Sequence, residues 1–317
     1  WNHGLFKALL FLGAGSVLHS TGTREMSRLG GLWRVMPWTA GMFLLGAVAI
    51  AGLPPLNGFV SEWLVYLGLF GALGSHGPIS WAAVPAAILL CITGALALAC
   101  FVKACGVVFL GLPRSEAAAQ AHENGWLMRA PMLLLCLACA TIGLVPSLVW
   151  PLLARVTSTW RPSWTESAAP ASLVALGGFH VALAAVSLLG AVALWRCVKR
   201  NGFVRAVTWD CGYARPNARM QYTAGSFAAI ITSWFAWILR PQRHVHLPMT
   251  PFPARASFEE HTPETILAFV LQPGGALVMR VAGAARRLQH GRLQAYVLYV
   301  LIGVAGLALL AVIGGTR

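Results

Sequence analysis

The sequence predicts an all-α integral membrane protein: a multi-span helix bundle with one helix interrupted at Pro54–Gly58, plus amphipathic helices on the cytoplasmic interface. Three observations predict it. Of 317 residues, 58% are hydrophobic and only 10% charged, whereas soluble domains are roughly 25% charged. Apolar runs recur along the whole chain, and about 20 apolar residues cross a bilayer as one helix. The net charge of +14 comes from 23 Lys and Arg against nine acids, with the basic residues gathered between the apolar runs, as positive-inside topology requires. So apolar a chain cannot cover itself with polar surface, which excludes a water-soluble single domain. Nucleic acid is excluded as a partner because the basic segments lack aromatic interleaving.

Taken in order, the runs lie at 4–21, 34–53, 59–74, 82–110, 131–150, 172–195 and 294–313. Gly52-Leu53-Pro54-Pro55-Leu56-Asn57-Gly58 separates the second from the third. Charge decides how to count them. Arg24, Arg28 and Arg34 precede that pair, and Arg196, Lys199, Arg200 and Arg205 follow the 172–195 run. If both loops are cytoplasmic, an even number of crossings separates them, so 34–74 is one interrupted crossing. Loops 22–34, 111–130 and 196–292 then share a side and hold 18 of the 23 basic residues. A break of this kind survives at membrane depth only where protein or a polar cavity surrounds it.

The sequence divides into a transmembrane part, 1–153, and an extension, 154–317. Within the extension, 199–222 is polar and basic around Thr208-Trp209-Asp210-Cys211-Gly212-Tyr213. Residues 222–241 are apolar but short for a span and read as an interfacial helix. Pro-rich 248–253 follows. Residues 264–292 read as a helix broken at Pro273-Gly274-Gly275, its second half amphipathic and Arg-rich, lying on the cytoplasmic face or docked along partner subunits. The chain opens on WNHGLFKALLFL, already inside an apolar run, and is expected to be part of a longer protein.

A charge in lipid costs at least ~2.5–3.5 kcal/mol, so intramembrane charges mark function by default. His3 and Lys7 lie four apart, on one helix face. Glu62 closely follows the break, where unwound backbone and water can solvate it. Lys103 sits in ALALACFVKACGVVFLG; a functional role and snorkelling toward the loop at 111 both fit it. His19 is either an interfacial histidine or a member of the same relay. His180, flanked by Gly177 and Gly178 with no acid near, reads as a satisfied bundle histidine. Burial disfavours charge on Lys and Glu alike, so both can trade protons near neutrality. Cys136 and Cys139 form C-x-x-C inside an apolar run without a second pair at zinc spacing, and read as small core hydrophobes. No phosphate loop, nucleophile motif or metal cluster competes with this reading, and no catalytic residue is expected.

NHGLFKALLFLGAGSVLHSTGTREMSRLGGL (2–32) followed by AGLPPLNGFVSEWLVY (51–66) resembles the C-terminal half of the proton-conducting, antiporter-like membrane subunits. These are shared by respiratory complex I, multisubunit cation/proton antiporters and membrane-bound nickel–iron hydrogenases. TWDCGYARPNARMQYTAGSFA (208–228) narrows the resemblance to the large membrane subunits of formate hydrogenlyase and hydrogenase-4 complexes. The resemblance implies two inverted repeats, of which this sequence matches the second. It places His3, Lys7 and Glu62 on a polar mid-membrane axis, with Lys103 on the following helix. It also implies a multi-pass protein of the bacterial inner membrane, held by other membrane subunits and a peripheral hydrogenase-like arm. Iron–sulfur and nickel–iron centres are expected in those partners, with no cofactor in this chain. Two other functions stay open at this point: a subunit of a multisubunit Na+/H+ antiporter, and a non-conducting structural subunit that anchors a peripheral arm.

Overall fold

A computed structural model describes residues 1–74, 78–160, 168–202, 217–218, 220–246, 257–287 and 291–314. The segment Thr208–Tyr213 and the Pro-rich stretch 248–253 lie outside the described residues. The helices in order are α1 (Asn2–Thr21), α2 (Pro37–Ile50), α3 (Asn57–Leu73), α4 (Pro78–Phe109), α5 (Glu116–Ala119), α6 (Trp126–Leu144), α7 (Trp150–Trp160), α8 (Ala171–Asn201), α9 (Ala224–Trp234), α10 (Ala236–Leu239), α11 (Gln272–Arg286) and α12 (Leu293–Gly314). Among the described residues six helices are long and apolar enough to cross a membrane: α1, Ser80–Phe109 of α4, α6, α8, Leu267–Arg286 and α12. The fold is the predicted membrane helix bundle. Contacts divide it into two units, Trp1–Ala228 and Ala229–Arg317.

In the first unit α1 and α2 run antiparallel along a ladder of close contacts. Ser16 bonds Thr39 at 3.0 Å, Gly13 faces Phe43, Gly46 faces Leu9 and Leu10, and Phe6 clusters with Ala49. Small residues at the crossing let the backbones approach, which is how helices gain contact where no hydrophobic force drives them together. The loops at the Thr21 end fold back onto the bundle. Val17, Leu29, Leu32, Met36, Val108 and Phe109 form a buried cluster there. Asn124 donates to the carbonyl and hydroxyl of Ser16 at 2.8 and 2.6 Å. The Arg114 guanidinium donates to the carbonyls of Leu29, Val107 and Tyr222, and the Gln221 amide pairs with the backbone N–H and C=O of Leu112, both at 3.0 Å.

The N-terminus of α2 carries Pro37 in its first turn and no side-chain cap of its own. The Glu123 carboxylate supplies one instead, accepting from the N–H groups of Trp38 and Thr39 at 2.8 and 3.3 Å. An anion there meets both the unpaired N–H groups and the positive end of the helix. Glu123→Ala is expected to cost about 1 kcal/mol or more, seen as a lower Tm of the solubilised protein. An unchanged Tm would show that water caps α2 equally well.

The interrupted crossing is present. At 1.5 Å per residue α2 and α3 measure about 21 and 26 Å, each short of the ~30 Å hydrocarbon core. α4 and α6 each pack along both of them, while α2 and α3 touch one another little. They are therefore stacked halves of one crossing rather than a hairpin. The unwound residues are Ala51–Leu56; Asn57 and Gly58 already belong to the first turn of α3, so the break ends two residues earlier than the sequence placed it. The missing side chain of Gly58 is what admits α3 to this position, because a Cβ there would overlap the Ala49 carbonyl.

In the second unit, β1 (Gln242–His246) pairs antiparallel with β2 (Ser257–His261), Arg243 opposite Glu260 and ion-paired with it at 3.3 Å. The sequence signals no strand here, because every described side chain of β1 is exposed and no apolar alternation marks it. The break predicted at Pro273–Gly275 is also corrected. A π-turn over Leu267–Leu271 leads straight into α11, with Pro273 in the first turn of the new register. The wider turn accommodates the N–H that proline lacks, so the axis continues.

Candidate functional site

The site is built around the break. Two half-helix ends meet there, the C-terminus of α2 and the N-terminus of α3, bringing a partial negative and a partial positive charge to mid-membrane. Glu62 stands in the second turn of α3, half-buried. Its carboxylate occupies a seat made by two glycines. A Cβ on Gly52 of the break would overlap Oε2, and one on Gly94 of α4 would lie 3.2 Å from Oε1. Gly52 also has φ +65°, a conformation side chains resist. The seat exists because both positions lack a side chain.

Lys7 is exposed on α1, within about one turn of this level. The ladder of α1 on α2 puts Phe6 beside Ala49, and Gly52 follows Ala49 by less than a turn. The Lys7 ammonium lies 5.8 Å from the Phe11 ring centroid, and Lys7, Phe11, Ala14 and Leu18 share one face of α1. Phe11, Ala14 and Leu18 line one wall of a groove of about 460 Å³ whose floor is Phe43 and whose other wall includes Ala104 and Val108. Gly94, Phe101 and Val108 recur every seven residues and so share a face of α4.

His3 sits in the first turn of α1, its ring edge-on to Phe6 at 5.2 Å and one turn from Lys7. The two residues farther along do not join this level. Lys103 is nine residues beyond Gly94, about 14 Å down α4 and about half a turn around it, so it faces away from Glu62. His19 is exposed in the last turn of α1, about 18 Å from Lys7 along the axis. Pro54 and Pro55 shape the break from within, and the Pro55 carbonyl lies against Gly143 of α6.

Two polar residues at the break carry no motif. Asn2 donates to the Asn57 carbonyl at 3.0 Å and to the Ser61 hydroxyl at 2.7 Å, tying the start of α1 to the start of α3. His180 of α8 is 0% exposed, with Nδ1 2.7 Å from the Gly143 carbonyl. The sequence showed His180 among apolar neighbours only, since its partner lies on another helix. Cys136 and Cys139 are buried among apolar residues of the core.

Residues 1–90 match the family described as NADH:quinone oxidoreductase/Mrp antiporter, TM. Hydrogenase-4 component B of Escherichia coli (strain K12) is 35% identical over 333 residues, covering 98% of this chain and 48% of that protein. Formate hydrogenlyase subunit 3 of the same organism is 36% identical over 243 residues, covering 75% of this chain and 39% of that protein. The chain thus spans about half or less of the length of these relatives. Among solved structures, the membrane-bound sulfane sulfur reductase, an archaeal respiratory membrane complex, contains a chain with the same fold, at a TM-score of 0.62 and 20% identity, covering 97% of this chain and 46% of that one.

Proposed function

We propose, from the premise that the chain belongs to the NADH:quinone oxidoreductase/Mrp antiporter transmembrane family, that it translocates protons within a hydrogenase-4- or formate hydrogenlyase-like complex of the bacterial inner membrane. The observation that carries this reading is the Glu62 carboxylate in its two-glycine seat at the helix break. Such a site binds a proton without covalent change. Glu62 takes and releases it where unwound backbone and half-helix ends stabilise either state. Lys7 holds a second proton, and each charge alters the affinity of the other, because charges interact strongly where water is scarce. His3 and Lys103 extend the route along α1 and α4, and His19 lies toward its loop end. Iron–sulfur and nickel–iron chemistry belongs, on this reading, to a peripheral arm. Its turnover reaches this chain through neighbouring membrane subunits as a change of charge beside the axis.

The whole complex in proteoliposomes tests it. Lys7→Ala is expected to keep redox turnover and to lower proton translocation at least tenfold. Full translocation by that variant overturns the assignment. Purification of the chain in a complex without a metal-containing arm, exchanging Na+ for H+, would instead establish an antiporter.

A further inference from the structure

Seven buried side-chain nitrogen and oxygen atoms lack a hydrogen-bond partner among the described residues, and five of them belong to Asn2, Asn57, Trp63 and His180. They gather on the α6–α8 side of the break. Asn57, 0% exposed, opens α3 with its amide beside the Cys139 thiol and no other partner for either amide atom, and Asn2 leaves Oδ1 unpaired while its Nδ2 bonds Asn57 and Ser61. The Gly143 carbonyl can only accept, so Nδ1 of His180 carries the proton, and Nε2 presents a lone pair with no donor to meet it. The Trp63 indole N–H has no acceptor. The Phe59 ring stands next to both, its centroid 5.4 Å from that of His180 and 6.4 Å from that of Trp63. Close by, at the end of the bundle opposite the Thr21 loops, a cavity of about 250 Å³ is lined by Asn2, Ser61, Ile142, Pro146 and Leu173.

Buried polar groups in a native fold are almost always satisfied, and an internal water needs two to four polar partners and about 30 Å³. Of the orphaned residues Asn2 lines the cavity itself; Asn57 is bonded to Asn2, and Trp63 packs with the lining residues Val60 and Leu173. We propose that this side of the break holds a chain of internal water, and that His180 is a proton-binding site on it, loading and unloading at Nε2. A proton arriving on the water adds to the Nε2 lone pair. The ring becomes imidazolium with its Nδ1–H still bonded to Gly143, and the same proton leaves from Nε2 to water toward the cavity. Nothing is oxidised or reduced. The rings packed against it, Phe59 and Phe179, carry no charge. The nearest titratable groups by helix are Glu62 on α3, Cys139 on α6 and Arg155 on α7.

This rests on the proposed function, and the test separates the two. Hydroxyl-radical footprinting of the intact complex labels buried residues only where water reaches them. His180 is expected to be modified at least fivefold faster than Met36 and Met132, which are equally buried in apolar core and intrinsically reactive. His180→Gln, which keeps an N–H for Gly143 but cannot take up a proton, is expected to lower proton translocation at least threefold and to flatten its dependence on pH. Absence of labelling overturns the water chain, and native translocation with a native pH profile in His180→Gln overturns the proton-binding role. Either result leaves the proposed function standing if Lys7→Ala still abolishes transport.

Discussion

Glu62→Gln is expected to lower proton translocation by the reconstituted complex at least tenfold while redox turnover continues. Of the nine acids in the chain, Glu62 alone falls within a crossing. Glutamine keeps the shape and one carbonyl acceptor but cannot carry a proton, so the variant tests titration and little else. Its carboxylate stands against Gly52 and Gly94, which yields a companion result. Gly52→Ala alters no ionisable group, yet a Cβ at φ +65° both strains the backbone and fills the place of Oε2. The carboxylate must leave its seat, and transport is expected to fall nearly as far as in Glu62→Gln. Proton flux measured with a pH-sensitive dye against hydrogen evolution or quinone reduction in the same vesicles gives the ratio directly. Normal flux in Glu62→Gln removes Glu62 from the path; normal flux in Gly52→Ala shows that the seat is dispensable.

The largest stability effect is expected at Gly143. A Cβ there would overlap the Pro55 carbonyl and come within 2.7 Å of the Leu56 Cα. Both are backbone atoms, held in a break that has no slack. Either α6 withdraws from α3 or the break reshapes. Overpacking of this kind costs ~1–3 kcal/mol, occasionally more, and here it also strains the Gly143–His180 hydrogen bond. Gly143→Ala is expected to lower the Tm of the detergent-solubilised protein by several degrees more than Gly178→Ala. A Cβ at Gly178 meets nothing within 4 Å, and that position controls for helix propensity. Equal Tm values for the two variants would mean that the break yields easily.

The crossing runs were legible because a span is a local property. Twenty apolar residues without charge have one low-energy form in lipid, whatever else surrounds them. The break was legible for the same reason, since Pro54, Pro55 and the adjacent glycine oppose helix wherever they stand. Its exact end was not, because Asn57 and Gly58 enter α3 only by virtue of the close approach to Ala49. The π-turn before Pro273 shows the converse, a local stop signal absorbed by a change of register. Glu123 as the cap of α2, eighty-five residues from Trp38, and Gly143 as the partner of His180 have no sequence signal at all. Each depends on which helices become neighbours.

The sequence by itself determined that this is a multi-pass membrane helix bundle with a broken crossing, and which ionisable residues lie within its apolar runs. Chain-local hydrophobicity and backbone chemistry suffice for that. Only the tertiary structure decided that the Glu62 carboxylate sits against Gly52 and Gly94, that His180 pairs with Gly143, and that His180 keeps an unpaired nitrogen beside the break. Helix packing sets depth and azimuth, and those two coordinates determine which ionisable groups can exchange a proton.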